Sequence, residues 1–192
     1  RGKIVTKFVK PAAQGLYNPA NEHDACGVGF IAHIKGDKSH LIVDQGLQIL
    51  DNLTHRGATG FDPLLGDGAG ILVQIPDQFF RNIGDLGFDL PLSGEYGVGM
   101  VFLPQDDVSR TKIQEVLEEF TVTEGQEVLG WRDVPVDNSG ISQTARDVEP
   151  VIRQLFIRRG AHCQTEQDLE RKLYVIRKQA DHRVSSSVDV GV

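Results

Sequence analysis

The feature that most restricts the fold is the alternation of short apolar segments with amphipathic helical repeats along the 192 residues. Apolar stretches of strand length occupy residues 26–34, 71–75, 96–103, 127–134 and 151–157. Apolar residues at 3.6 spacing predict helices over residues 39–53 and 106–120 and a helix that begins after Thr165, and Pro76-Asp77 opens a short helix. This order predicts layers of sheet and helix without internal repeats.

Charge and composition exclude several classes of function. The chain has 27 acidic and 20 basic residues, a net charge of -7, which argues against a surface that tracks nucleic-acid phosphates. No apolar run approaches the roughly 18 residues needed to span a bilayer, so a membrane role is not expected. Residues 1–10 carry no apolar core of the length found in secretory signals.

The two cysteines, Cys26 and Cys163, stand in dissimilar surroundings. They indicate neither a disulfide framework nor a metal knuckle, and a reducing compartment is expected. The six histidines lack the close spacing of a metal site. The sequence therefore predicts no metal.

Cys26 heads the first apolar segment and follows an irregular stretch, residues 1–25, that Pro11 and Pro19 interrupt. A free cysteine usually packs as a small hydrophobe, but one in a suitable environment is a nucleophile. Gly27 and Gly29 follow it, and residues without a Cβ let a ligand or another backbone approach closely. Both interpretations of Cys26 remain open at this level.

A loop with five glycines in fourteen residues, residues 57–70, separates the first predicted helix from the next apolar segment. It lacks the lysine and serine or threonine of a phosphate-binding loop, and it runs from helix to strand rather than from strand to helix. A flexible linker would be rich in serine and would not lead directly into an apolar run. A tight loop beside a small-molecule site fits better.

Three motifs together closely resemble the amino-terminal region of glutamate synthase large subunits. They are Cys26-Gly27-Val28-Gly29-Phe30-Ile31-Ala32-His33-Ile34, Asn52-Leu53-Thr54-His55-Arg56-Gly57-Ala58-Thr59-Gly60 and Gly66-Asp67-Gly68-Ala69-Gly70-Ile71. Further similar motifs follow in the same order at Pro76–Phe80, Gly130–Pro135 and Glu170–Tyr174. A collinear set is far more specific than any single motif.

The resemblance implies an α+β fold of the N-terminal-nucleophile hydrolase type, a four-layer αββα sandwich of which this chain holds a part. Residues 1–25 would be a leader, and residues 26–192 would be the front of a class II glutamine amidotransferase domain that continues beyond residue 192. The activity implied is hydrolysis of L-glutamine to glutamate and ammonia. Ammonia would pass to a synthase domain, absent here, for reductive amination of 2-oxoglutarate.

By the resemblance, Cys26 is the nucleophile and becomes amino-terminal when the leader is removed. Its free α-amino group, with a pKa of about 7.7–8.0, can then act as the base, which an amide nitrogen bonded to Ala25 cannot do. Arg56 would bind the α-carboxylate of glutamine through its planar guanidinium, with Gly57 beside it. The alternative for Arg56 is a surface arginine at a helix C-terminus, and Asp67 either holds substrate or caps the loop through an Asx turn.

Other parts of the family's machinery are expected outside this sequence. The Asn-Gly pair of the family's oxyanion hole lies in an Asn-Gly-Glu motif that does not occur here, so weak or no hydrolysis is expected from this chain. No cofactor is expected in it, although FMN and an iron–sulfur cluster are implied for the full-length protein. The implied partners are the rest of the synthase chain and either ferredoxin or a nicotinamide-using small subunit.

The compartment implied is the cytoplasm, with a plastid left open. Two other readings stay open as well. One is a non-catalytic amidotransferase-like module that keeps its leader and binds glutamine or a partner. The other is a relative of the purine or hexosamine amidotransferases, which the motifs at Asn52–Gly60 and Gly66–Ile71 fit less well than glutamate synthase.

Overall fold

A computed structural model describes residues 14–15, 27–53, 64, 68–84 and 86–188. The chain divides into two compact units, Arg1–Leu72 and Val73–Val192, which are described separately. The predicted leader lies outside the described residues except for Gln14 and Gly15. None of the described helices is long and apolar enough to cross a membrane.

The first unit contains the helix α1, His40–Asn52. Ser39 caps it, because the Ser39 hydroxyl accepts a hydrogen bond from the Leu41 amide at 3.2 Å. A turn precedes the helix, in which the Gly36 amide donates to the His33 carbonyl at 2.9 Å and Gly36 has a positive φ. The helix predicted over residues 39–53 is confirmed.

Two predicted strands, at residues 26–34 and 71–75, are wrong for the described residues. Residues 27–34 and 71–75 have no β-ladder partner in the part of the chain that the structure describes. Val28 is 89% exposed and Leu72 is fully exposed, so these segments are not buried as expected. The physical reason is that a strand needs a neighbour to pair its backbone amides and carbonyls, and an apolar pattern does not supply one.

The second unit is built on a three-stranded antiparallel sheet. Its strands are β1, Tyr96–Leu103, β2, Glu127–Asp133, and β3, Val151–Arg158, in the order β1-β3-β2. The helices of this unit are α2, Asp77–Asn82, α3, Asp107–Thr123, α4, Gln143–Asp147, and α5, Glu166–Val188. Every strand and helix that the sequence predicts between residues 76 and 188 is present, and α4 is the one addition.

The central strand β3 supplies both halves of the core. Leu155 and Ile157 are buried against Ile176 of α5 and against partly buried residues of α3. Phe156, between them in sequence, points to the opposite face, where its ring lies 5.0 Å from that of Phe80 of α2. Helices on one face and the α2 segment on the other give this unit an α+β architecture.

Local capping signals place the helix starts of this unit. The Asp106 carboxylate accepts from the Ser109 amide at 2.8 Å at the start of α3. At the start of α5, Thr165 Oγ1 accepts from the Asp168 amide and an Asp168 oxygen accepts from the Thr165 amide. This reciprocal pair is a capping box. The pKa of Asp168 is lowered because its carboxylate accepts hydrogen bonds from the Thr165 hydroxyl, at 2.8 Å, and from the Thr165 amide.

Candidate functional site

Each of the residues that the sequence predicts for the site, Cys26, Arg56, Gly57 and Asp67, lies outside the described residues. Their immediate neighbours are described. Gly27 follows Cys26, Leu53 stands three residues before Arg56, and Gly68 follows Asp67. The geometry of these neighbours is therefore what the structure gives about the predicted site.

The segment after Cys26 lies against the C-terminal half of α1. A Cβ built on Gly27 would lie 2.8 Å from Leu53 Cδ2, and one on Gly29 would lie 2.6 Å from Ile49 Cγ2. Both distances are well below van der Waals contact, so these positions leave room only for glycine unless the helix side chains move. The glycines that first drew attention to Cys26 thus serve a close approach of this segment to α1.

The segment after Asp67 also lies near α1. A Cβ on Gly46, in the middle of the helix, would be 4.0 Å from Ile71 Cγ2. The helix therefore has the segment that follows Cys26 near its end and the segment that follows the glycine-rich loop near its middle.

Asp77, Arg81 and Tyr96 form a polar cluster in the second unit, in which Tyr96 is buried, Asp77 is partly buried and Arg81 is exposed. The Arg81 guanidinium donates to both Asp77 carboxylate oxygens at 2.9 Å and also to the carbonyls of Leu90 and Pro91. The Tyr96 hydroxyl donates to Asp77 at 2.9 Å. Burial, followed by this bond, raises the pKa of Tyr96.

The Tyr96 hydroxyl and the Asp77 carboxylate join β1 to α2. The Arg81 guanidinium joins α2 to the segment before β1 through the carbonyls of Leu90 and Pro91. We therefore interpret the cluster as structural. None of the motifs in the sequence predicted this cluster, although the four-residue spacing of Asp77 and Arg81 in a short helix is a usable signal.

Cys163, the second cysteine, is 7% exposed and free. Its Sγ lies 3.5 Å from Gln126 Nε2, and Gln126 Oε1 accepts from the Gly160 amide at 2.8 Å. A buried thiol packed against a fixed amide has the surroundings of a structural cysteine rather than of a nucleophile. Among the described residues, no three His, Cys, Asp or Glu side chains are grouped to hold a metal ion.

Comparisons with known proteins agree on one family. The model of class II glutamine amidotransferases matches residues 26–190, so the match begins at Cys26. The large chain of the NADPH glutamate synthase of Bacillus subtilis is 51% identical over 172 residues. An NADH glutamate synthase of Schizosaccharomyces pombe is 45% identical, and the ferredoxin-dependent glutamate synthase 1 of Arabidopsis thaliana is 37% identical.

The matches cover most of this chain but little of its relatives. The aligned regions include 90%, 91% and 93% of this chain and 11%, 8% and 11% of the three relatives, in the same order. The chain thus spans about a tenth of the length of the curated relatives that it matches. The similarity therefore concerns one domain of much longer proteins.

Proposed function

The chain belongs to the class II glutamine amidotransferases, and we propose that it is the glutaminase domain of a glutamate synthase, with Cys26 as its nucleophile. The observation that carries the proposal is the start of the family match at Cys26, the residue that the sequence analysis singles out. A domain that begins at this cysteine fits a nucleophile that uses its own α-amino group. Residues 1–25 are then a leader removed by cleavage of the bond between Ala25 and Cys26.

The chemistry follows from a cysteine with a free amino group. The α-amino group takes the thiol proton, and the thiolate attacks the carboxamide carbon of glutamine to give a tetrahedral intermediate. The ammonium then returns a proton to the leaving nitrogen, the C–N bond breaks, and ammonia departs from a thioester. Water hydrolyses the thioester to glutamate and regenerates the thiol.

Arg56, Gly57 and Asp67 are the proposed substrate-binding residues. Arg56 would bind the α-carboxylate of glutamine, because its guanidinium stays charged and donates two parallel hydrogen bonds. The contact of Gly27 with Leu53 supports this role, since it brings the residue after Cys26 to the end of the helix that leads to Arg56. The approach of Ile71 to Gly46 brings the chain that follows Asp67 to the same helix.

The proposed fold is the four-layer αββα sandwich of N-terminal-nucleophile hydrolases. The sheet of the second unit, covered by α3 and α5 on one face, would be one sheet layer with its outer helical layer.

In a full synthase, ammonia from this domain would reductively aminate 2-oxoglutarate in another domain. The names of the relatives include NADPH, NADH and ferredoxin-dependent forms, so the electron donor is either ferredoxin or a nicotinamide-using subunit. An iron–sulfur cluster commonly takes four thiolates, and this chain has two cysteines, so the cluster would be held elsewhere. FMN would be held in the synthase domain. The compartment proposed is the cytoplasm, or a plastid as in the plant relatives.

The first test is intact mass spectrometry of the protein expressed in a reducing cytoplasm, with and without a diazo-ketone analogue of glutamine. We expect a chain that begins at Cys26 and gains one covalent adduct. The Cys26→Ser variant should gain none, and Arg56→Lys should require more reagent because a single ammonium replaces the bidentate fork.

The matched control for this experiment is Cys163→Ser, which removes the other thiol. Its buried position predicts that adduct formation continues with unchanged stoichiometry. A retained leader without any adduct would contradict the proposal and favour a module that only binds glutamine or a partner. An adduct on Cys163 would contradict the assignment of the nucleophile.

A further inference from the structure

Two glycines of the segment that follows Cys26 rest on two side chains at the end of α1. A Cβ built on Gly29 would lie 2.6 Å from Ile49 Cγ2 and 3.2 Å from Ile49 Cδ1. A Cβ built on Gly27 would lie 2.8 and 2.9 Å from the two terminal carbons of Leu53 and 3.1 Å from its Cβ. Carbon atoms in ordinary contact are about 3.5–4.0 Å apart, so neither position has room for a side chain.

These two contacts set the direction and the register of the segment along α1. Gly27 lies at Leu53 and Gly29 lies at Ile49, so the segment runs antiparallel to the helix. Ile49 and Leu53 are four residues apart, which is about one helical turn. Val28, between the glycines, is 89% exposed and does not lie against the helix. A slip by one residue would bring Val28 onto these side chains, where there is no room for it.

The two helix side chains form a fixed support. Ile49 is β-branched, and such a side chain has one strongly preferred χ1 rotamer in a helix, so its Cγ2 is held in place. Leu53 Cβ is attached directly to the backbone, and the Leu53 amide donates to the carbonyls of Ile49 and Leu50, both at 3.0 Å. A change of rotamer therefore does not clear the contact of Leu53 Cβ with position 27. When a side chain is added to the segment, the segment is the part that must move.

The place of this segment matters because thiolate attack needs a defined approach. Reacting atoms must come within about 3–3.5 Å in the correct orientation, and a misplacement of about 1 Å can lower a rate on the order of 10²-fold. In the proposed reaction the sulfur belongs to the segment that begins at Cys26, whereas the carboxylate of glutamine is bound by Arg56, three residues after Leu53. The contacts between the glycines and α1 connect these two parts of the site.

We propose that Ile49 and Leu53 are positioning residues for the nucleophile. By resting on the two glycines, they hold the segment in one register on α1 and thereby set the separation between the Cys26 sulfur and the site for the glutamine carboxylate. They act through the backbone of the segment rather than by contact with the reacting atoms. This inference rests on the proposed function, because it takes Cys26 as the nucleophile and Arg56 as the carboxylate-binding residue.

The test moves a methyl group from the helix to the segment. In Gly29→Ala the added Cβ meets Ile49 Cγ2, and the segment must move by about 1 Å to reach ordinary contact. In the double variant Gly29→Ala/Ile49→Ala, the nearest remaining atom at position 49 is the Cβ at 3.7 Å, which is an ordinary contact. The Gly29 pair suits this test better than the Gly27 pair, because truncation of Leu53 would leave its Cβ at 3.1 Å.

The measurement is the reaction of Cys26 with the diazo-ketone analogue of glutamine, in protein expressed from its complete reading frame. Mass spectrometry follows the amino-terminal peptide that begins at Cys26, so molecules that retain the leader are not counted. The dependence on reagent concentration gives a maximal rate constant and an apparent binding constant. Iodoacetamide, which has no carboxylate for the site to bind, is used in parallel to report the accessibility and thiolate content of Cys26.

Gly29→Ala should lower the maximal rate constant on the order of 10²-fold and change the apparent binding constant less than about threefold, because the carboxylate-binding part is untouched. The double variant should recover at least about tenfold of that loss, since its methyl group fills the space vacated by Ile49. Iodoacetamide should alkylate Cys26 at the parental rate in every variant. This difference between the two reagents separates misplacement of the sulfur from unfolding.

Two single changes at position 49 test the same support without a clash, so the proposal can be tested even where Gly29→Ala does not fold. Ile49→Ala should lower the maximal rate constant about fivefold, whereas Ile49→Val keeps both carbons attached to Cβ and should stay within about twofold of the parent. The control is Gly46→Ala on the same helix. Its added Cβ would lie 4.0 Å from Ile71 Cγ2, an ordinary contact, so this variant should react like the parent.

Several outcomes would overturn the proposal. They are a parental rate in Gly29→Ala, a double variant no faster than Gly29→Ala, an equal loss of reactivity toward iodoacetamide, and equal rates for Ile49→Ala and Ile49→Val. Each of these leaves the proposed function standing, because the parent protein still forms its adduct at Cys26. A parent protein that forms no adduct would overturn the proposed function and this inference together.

Discussion

Replacing Gly160 by alanine should be among the most destabilising small changes in the second unit. A Cβ on Gly160 would lie 1.8 Å from the carbonyl oxygen of Gly125, where about 3.5 Å is needed. The obstacle is backbone rather than the end of a flexible side chain. The Gly160 amide also donates to Gln126, and the Gly160 carbonyl accepts from the Cys163 amide at 3.0 Å. A shift of the Gly160 loop away from Gly125 would therefore break these hydrogen bonds.

Gly160→Ala should lower the free energy of unfolding by about 3 kcal/mol, the upper end of the range for overpacked positions. With a urea m-value of about 2 kcal/mol/M, the unfolding midpoint should fall by about 1.5 M, and Tm by roughly 6–12 °C. Trp131 is the single tryptophan and reports unfolding by fluorescence, because it is half-buried and its indole N–H donates to Glu118 at 2.7 Å.

The matched control for Gly160→Ala is Gly140→Ala. A Cβ on Gly140 has nothing within 4 Å, and neither glycine has a positive φ, so the two variants differ in the steric contact alone. Gly140→Ala should change the free energy of unfolding by no more than about 0.5 kcal/mol. Equal midpoints for the two variants would refute the packing described for the Gly125 and Gly160 loops.

Two further predictions concern titratable groups of the second unit. Tyr96→Phe removes the hydrogen bond to Asp77 and should cost about 0.5–1.5 kcal/mol in urea unfolding. Since the folded state raises the pKa of Tyr96, its contribution is complete below about pH 10 and is lost as the pH rises further, so the difference between parent and variant should shrink in alkali. The hydrogen bonds from Lys172 and Gln179 lower the pKa of Glu124, so its contribution is present above about pH 4.3 and is lost as the pH falls. Glu124→Gln should therefore be less stable than the parent at neutral pH and approach it in acid, and a pH-independent difference would contradict this linkage.

The amino-acid sequence alone predicted the elements whose signals are local. The helices α1, α3 and α5 follow from apolar residues at 3.6 spacing, and Ser39, Asp106 and the Thr165–Asp168 pair mark their starts. The strands β1, β2 and β3 follow from short apolar runs between turns. The family followed from collinear motifs, and the relatives confirm it. The assignment of Cys26, Arg56, Gly57 and Asp67 stays a prediction.

Only the tertiary structure decided which of these elements pair and what holds them together. The order β1-β3-β2 and the bond of Tyr96 to Asp77 join residues far apart in sequence, so no local pattern encodes them. The same limit explains the wrong strand predictions at residues 27–34 and 71–75. An apolar period describes what a segment can bury, whereas a strand exists only where another strand pairs with its backbone.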